Sequence, residues 1–274
     1  MGLTFENGQL LATTSIAALA PDGQSLRMPP STEYVLMEIG CSDWDTMDET
    51  DLDQHRGRGF LISFEPLLDK YAVLLARGNT RYHGKHGDMA VPLAHHHRHG
   101  VVLPLAVSPT GGAFNITVHE RAGCSSILAA NRSATTSWAK LCHNILETRR
   151  VESMSLREAM RLAGSLPIRF LKVDAQGVDL KLFKALEEQA PGLLFSRIGA
   201  LQMETRTKQY APLYAGQETC DEALAFMTSL GYRSNHACPK QPRWCERTMK
   251  FFRPSEGNFS AARGATGGHR EFYS

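Results

Sequence analysis

Apolar runs that close on a glycine or a polar cluster constrain this chain most. They read YVLMEIG (34–40), GFLISFEP (59–66), VVLPLAVS (101–108), PIRFLKVDAQG (167–177) and IGALQMET (198–205), with MKFFRP (249–254) as a last strand. Such runs suit strands buried on both faces, as in a parallel sheet. Stretches of helical spacing lie between them. LLDKYAVLLARG (67–78) puts Leu67, Leu68, Tyr71, Leu74 and Leu75 on one face, with Gly78 as its cap. RRVESMSLREAMRLAG (149–164) carries a helix in which Ser155 is the N-cap and Glu158 completes a capping box. VDLKLFKALEEQAPG (178–192) and CDEALAFMTSLGY (220–232) are two further helices. AFNITVHE (113–120) alternates as an antiparallel ribbon strand does, and the small polar stretch 122–142 is expected as a surface excursion. The alternation predicts an α/β fold, a mostly parallel twisted sheet with helices on both faces. The expected divisions are an N-terminal extension (1–32), one main domain (33–254) and a tail low in apolar content (255–274).

Charge narrows the function classes. Thirty basic residues face 28 acidic ones, for a formal charge of +2, so nothing argues for a nucleic-acid or membrane-surface partner. No run approaches the ~18 apolar residues of a membrane span. LLATTSIAALA (10–20) is like the apolar part of a signal peptide, but Glu6 precedes it and no Lys or Arg does. A cytoplasmic protein is therefore expected. The six cysteines, at 41, 124, 142, 220, 238 and 245, form no CxxC pair and are expected to be reduced, with a Cys238–Cys245 bond as the minor alternative. Asn115-Ile-Thr, Asn131-Arg-Ser and Asn258-Phe-Ser fit the N-glycosylation pattern and, without a signal, read as chance. HHHRH (95–99) offers imidazoles to a metal, but no Cys, Asp or Glu lies close in sequence. A solvated loop and no metal are expected there.

In open α/β sheets, ligands bind at the carboxyl ends of the strands. That selects GCSDWD, FEP, AVS, KVDAQG and METR. Glu65 follows Gly40 by 25 residues. An acid roughly 20 residues past the first glycine turn pairs with ribose hydroxyls in dinucleotide folds. The plainer alternative is a solvated acid at a strand end. The glycines that let a pyrophosphate approach are missing, because Ser42 and Trp44 occupy the turn. Glu38, Asp43 and Asp45 surround it instead, which disfavours phosphate and favours a cation. S-adenosylmethionine joins a ribose to a sulfonium and has no phosphate. The alternative for Asp43 and Asp45 is a helix cap.

The ordered pieces VLMEIGCSDWDT (35–46), ISFEPLLDKYAVL (62–74), VVLPLAVSPTGGAFNIT (101–117), GCSSIL (123–128), ESMSLREAM (152–160), IRFLKVDAQGVDLKLFKAL (168–186), LQMET (201–205) and LYAGQETCDEALAFMTSLGY (213–232) resemble the FkbM-type methyltransferases. The resemblance covers roughly 33–253, and KVDAQG is its most specific piece. Two departures stand out: GCSDW replaces the family's GANxG-like loop, and Gln176 stands where many relatives carry Glu. The resemblance implies a Rossmann-like class I methyltransferase fold with S-adenosyl-L-methionine as cofactor. It implies that Glu38, Gly40, Ser42 and Asp43 line the methionine and ribose side and that Glu65 binds the ribose. It places Pro66, Ala106, Val107 and Ser108 near adenine, and Asp174 and Gln176 facing the methyl group. Asp174 is the first candidate base for O-methylation of a small-molecule or glycan-like acceptor, and Glu204 the second. His119 and the HHHRH histidines are outside chances. Lys172 shares the face of Asp174 and is expected to pair with a carboxylate. Tyr210, Tyr214 and Gln217, in the loop after the fifth strand, are candidates for substrate contact. A degenerate scaffold of the same fold and a nicotinamide-dependent reductase are the competing readings.

Overall fold

The computed structural model describes residues 2–6, 9–13, 18–42, 58–76, 82–84, 87–89, 100–234, 237–238 and 246–254. Asp43, Trp44, Asp45, the HHHRH loop, Gly78, Cys245 and the tail 255–274 lie outside them.

The chain begins with the antiparallel pair β1 (Gly2–Glu6) and β2 (Gln9–Thr13). Then come β3 (Tyr34–Ile39), β4 (Gly59–Phe64), helix α1 (Leu68–Ala76) and a ribbon of β5 (Tyr82–Gly84) with β6 (Gly87–Met89). Next are β7 (Gly100–Leu103), β8 (Ala106–Ser108), β9 (Gly112–His119), α2 (Ser137–Leu141), β10 (Ile145–Ser155) and α3 (Leu156–Arg161). The second half holds β11 (Ile168–Val173), α4 (Asp179–Gln189), α5 (Leu193–Arg197), β12 (Ile198–Arg206), α6 (Cys220–Ser229), β13 (Arg233–Ser234) and β14 (Glu246–Phe252).

The central sheet has the order β13-β14-β12-β11-β3-β4-β7. Strands β12, β11, β3, β4 and β7 run parallel, and β14 pairs antiparallel with both neighbours. The mostly parallel α/β sheet expected from the apolar runs is therefore present. Strand order reverses beside β3, with β4 on one side and β11 on the other. Alternate side chains of β3 serve two cores. Val35, Met37 and Ile39 join the larger one, with Met160 of α3, Phe183 of α4, Leu194 of α5 and Met227 of α6. Tyr34 and Leu36 face the other side, with Leu61, Val102 and Leu74 of α1. Leu26 also lies in the larger core, and its N–H donates to Leu162 O (2.9 Å), so the residues just before β3 pack onto the domain.

Local helix signals hold closely. Ser155 caps α3, with Glu158 reaching back to the Ser155 N–H (2.7 Å), and Thr219 and Glu222 repeat the box on α6. Other expectations are corrected. The run 101–108 is two strands: β7 stays in the central sheet, and past Pro104 the chain enters a second sheet of order β8-β10-β9. A proline has no N–H for the ladder. Strand β10 was not expected at all, since most of its residues are exposed and it has no apolar run. The stretch 122–142 is no surface excursion. Its Cys124, Ser126, Ala134, Ala139 and Cys142 are buried, and Asn131 N–H donates to Leu213 O (2.7 Å) while Ala215 N–H donates to Ala129 O (2.9 Å).

The cysteines are not all reduced either. Cys124 bonds Cys142 and Cys220 bonds Cys238, each across 18 residues, while buried Cys41 stays a thiol. Cys238 thus pairs with Cys220 and not with Cys245. Folding, not spacing along the chain, brings these partners together. Replacing Cys124 and Cys142 by alanine is expected to lower stability by about 3 kcal/mol. Urea unfolding of the oxidised protein checks this, with a correspondingly lower midpoint in the double variant.

Candidate functional site

The ends of β3 and β11 meet closely. Gly40 has φ 79°, and a Cβ there would lie 2.1 Å from the backbone oxygen of Asp174. Asp174 N–H in turn donates to Ile39 O (2.9 Å). Only glycine tolerates both the left-handed backbone and this approach. Two positions earlier on each strand, Lys172 and Glu38 are register partners, and Lys172 Nζ lies 3.0 Å from Glu38 Oε1. Glu38 is fully buried. Burial pulls the Lys172 ammonium down, but the charges of Glu38 and Asp174 outweigh it and its pKa is raised. The pairing expected of Lys172 is thus made with Glu38.

Beyond β11 the chain turns through Gln176 at φ 50°, a strained conformation for a side chain of this kind, and Gly177 at φ 95°. Three contacts hold Gln176. Ser126 Oγ donates to its carbonyl (2.7 Å), Tyr214 OH donates to its Oε1 (2.8 Å), and its Nε2 donates to Asp174 Oδ1 (2.7 Å). Tyr214 OH also lies 3.2 Å from Cys124 O, and its ring stands 2.8 Å from where a Cβ on Gly177 would sit. The glycine and glutamine of KVDAQG therefore shape one turn between Asp174 and Tyr214. Tyr214 is fully buried, and Gln217 beside it accepts from Leu213 N–H (3.0 Å) and donates to Glu246 Oε1 (2.8 Å). Tyr210 is half-buried.

Glu65 follows β4 and is 3% exposed. It accepts from the N–H of Leu67 (2.9 Å) and from the backbone of Ser42, so it faces the turn that follows Gly40. Burial raises its pKa, partly offset by the charge of Lys70. Pro66 beside it is half-buried, and Ala106 shares a small cluster with Leu67. Ser108 is occupied elsewhere, as its Oγ accepts from Gly111 N–H (2.9 Å) and lies 2.9 Å from Ser153 Oγ. Val107 belongs to the larger core. His119 is buried on β9, and burial lowers its pKa.

Glu204 and Asp179 form a second focus at the end of β12. Asp179 Oδ1 accepts from Glu204 N–H (3.1 Å) and its Oδ2 from Gly177 N–H (3.3 Å). Burial, then the charge of Asp174, raises Asp179 well above the usual carboxylate range. Burial and the charges of Asp174, Glu246 and Asp179 do the same to Glu204. Asp179 was not singled out from the sequence, although an acid in the first turn of a helix is a recognisable signal. Ser126 and the Cys124 carbonyl were missed because 122–142 gave no sign of reaching the sheet. Among the described residues, no cluster of His, Cys, Asp and Glu could hold a metal ion, and no helix is long and apolar enough to cross a membrane.

An α/β sheet with acids gathered at the carboxyl ends of its parallel strands defines the class. Residues 35–234 match the methyltransferase FkbM domain, and the chain belongs to that methyltransferase family. No curated protein and no solved structure matches the chain.

Two outcomes follow from this geometry. Glu204 has a folded pKa raised above its unfolded value, so its contribution to stability is fully present below the unfolded pKa and is lost as pH rises toward the folded one. Glu204→Gln is expected to flatten that fall, so that in urea unfolding the variant gains on the parent as pH rises above the ordinary value of 4.5. Tyr214→Phe is expected to lose about 1 kcal/mol, the net worth of a buried hydrogen bond, with near-UV circular dichroism showing the fold retained.

Proposed function

We propose that this chain is an S-adenosylmethionine-dependent methyltransferase that methylates an oxygen of a small-molecule or glycan-like acceptor. The observation that carries the reading is the buried Glu65 carboxyl, aimed at the turn after Gly40 and held by the Ser42 backbone. A carboxylate so placed accepts two hydrogen bonds from a cis-diol and repels a phosphate on it. The strand order, with one antiparallel strand near its edge, fits a Rossmann-like class I methyltransferase arrangement, and the reversal beside β3 is where such sheets take ligands. The residues present fit this cofactor: the buried Glu65 carboxyl faces the turn after Gly40, and Asp174 follows the neighbouring strand.

When bound, S-adenosylmethionine supplies a methyl group on a positively charged sulfur. The chain's own residues then orient the acceptor and manage its proton. Asp174 is the base in this reading: Gln176 Nε2 fixes its Oδ1, which leaves Oδ2 as the oxygen to take a hydroxyl proton. Burial and the charges of Asp174, Glu246 and Asp179 raise the Glu204 pKa, which favours its protonated form beside Asp174. Lys172 holds its ammonium against Glu38 Oε1 (3.0 Å), and its charge also attracts Asp174. Gln176, being neutral, positions Asp174 without competing for the proton.

Calorimetric titration at pH 7.5 with S-adenosylmethionine, and separately with NADH, tests the reading. Binding of the first alone is expected. Glu65→Ala should weaken it about 10- to 100-fold, the worth of one or two charge-assisted hydrogen bonds. No binding of S-adenosylmethionine or its demethylated product would remove the enzymatic reading and leave a degenerate scaffold.

A further inference from the structure

We propose that this protein folds in an oxidising secretory compartment and carries an N-linked glycan on Asn115. The two disulfides are the first observation. Cys124, Cys142 and Cys220 are each no more than 1% exposed, so the bonds must close as the chain folds. They are also built into the frame of the site: Cys124 O takes the Tyr214 hydroxyl, and Cys220 opens α6 on the larger core. Buried structural disulfides of this kind form in secretory and other oxidising compartments and are rare in the cytosol. Cys41, equally buried, stays reduced with its thiol directed at Phe64 O (3.6 Å), so the pairing is selective. This reverses the cytoplasmic expectation and, with it, the dismissal of the N-x-S/T sites as chance.

The structure then ranks those sites. Asn131 is committed to the fold: its Nδ2 donates to Pro212 O (2.9 Å), and its Oδ1 accepts from Ser133 N–H (3.1 Å) and Oγ (2.7 Å). A glycan on that nitrogen would have to share it with the Pro212 bond in a half-buried place, so Asn131 is the less suited site. Asn258 lies outside the described residues. Asn115 is exposed, opposite an exposed Arg150, while its neighbours Ile116 and Val118 turn into the core. It lies on β9, an edge strand of the sheet β8-β10-β9. Ser126 covers that edge at Thr117 by exchanging both backbone bonds, but no strand among the described residues pairs with it at Asn115. An open edge is a template for association with another chain, and proteins blunt such edges with bulk or charge. A glycan at Asn115 is solvated, displaces no packed group and covers the open part of the edge.

The test uses the full-length protein purified from its native cells. Peptide mapping without reductant should show the 124–142 and 220–238 bridges. Peptide-N-glycosidase F should remove mass from the Asn115 peptide and leave an aspartate in its place. In the same cells, N115Q should migrate as the deglycosylated form at that site, and N131Q should be unchanged. An unmodified Asn115 peptide in disulfide-bonded protein overturns the glycan. Cysteines that all alkylate without reductant overturn the compartment and the glycan together. Neither result bears on S-adenosylmethionine binding, which is measured separately.

Discussion

The close approach of the β3 and β11 ends sets the geometry of everything around it. The backbone of Asp174 lies where a Cβ on residue 40 would be, and the turns after both strands take left-handed conformations at Gly40, Ser42, Gln176 and Gly177. Two of these positions are glycines, which adopt such angles freely. The other two carry side chains, and strained backbone persists only where neighbours over-determine it. For Gln176 those neighbours are Ser126, Tyr214 and Asp174. The strain lies where two turns open onto the strand ends, which is also where the acids gather.

Support for this turn comes from far away in sequence. Ser126 and Cys124 precede Gln176 by about fifty residues, and Tyr214 follows it by 38. The second sheet, the 124–142 disulfide and the backbone pairing of 129–131 with 213–215 present these groups from one side. Removing any of them loosens Gln176, and through Gln176 the orientation of Asp174. The smaller sheet thus belongs to the site although no strand of it enters the central sheet.

What could be read from the sequence follows from the range of each interaction. Ser155 with Glu158, and the shared face of Lys172 and Asp174, are set within a few residues, and periodicity or capping chemistry exposes them. The parallel sheet was legible because burial on both faces leaves unbroken apolar runs. Strand β10 was not, because it leaves one face to solvent and its sequence, ILETRRVESMS, has no apolar run. The partners of Cys124 and Cys220 were hidden for another reason: each lies 18 residues away, and only the fold decides which thiols meet. Glu38 was legible as an acid near the turn, but its full burial against Lys172 depends on the register of β3 with β11.

The electrostatics at the sheet end argue for a positively charged ligand, independently of the acids in the first loop. Burial first, and then the charges of Asp174 and Glu246, raise Asp179 and Glu204 well above the usual carboxylate range. Lys172 is the cation that opposes this for Glu204, and Glu38 already engages its ammonium. A phosphate at the strand ends would add to the negative charge that these acids bring there. A sulfonium or ammonium at the strand ends would instead favour their charged forms. The gathering of acids at one end of the sheet thus sets the sign of the ligand charge that would suit it.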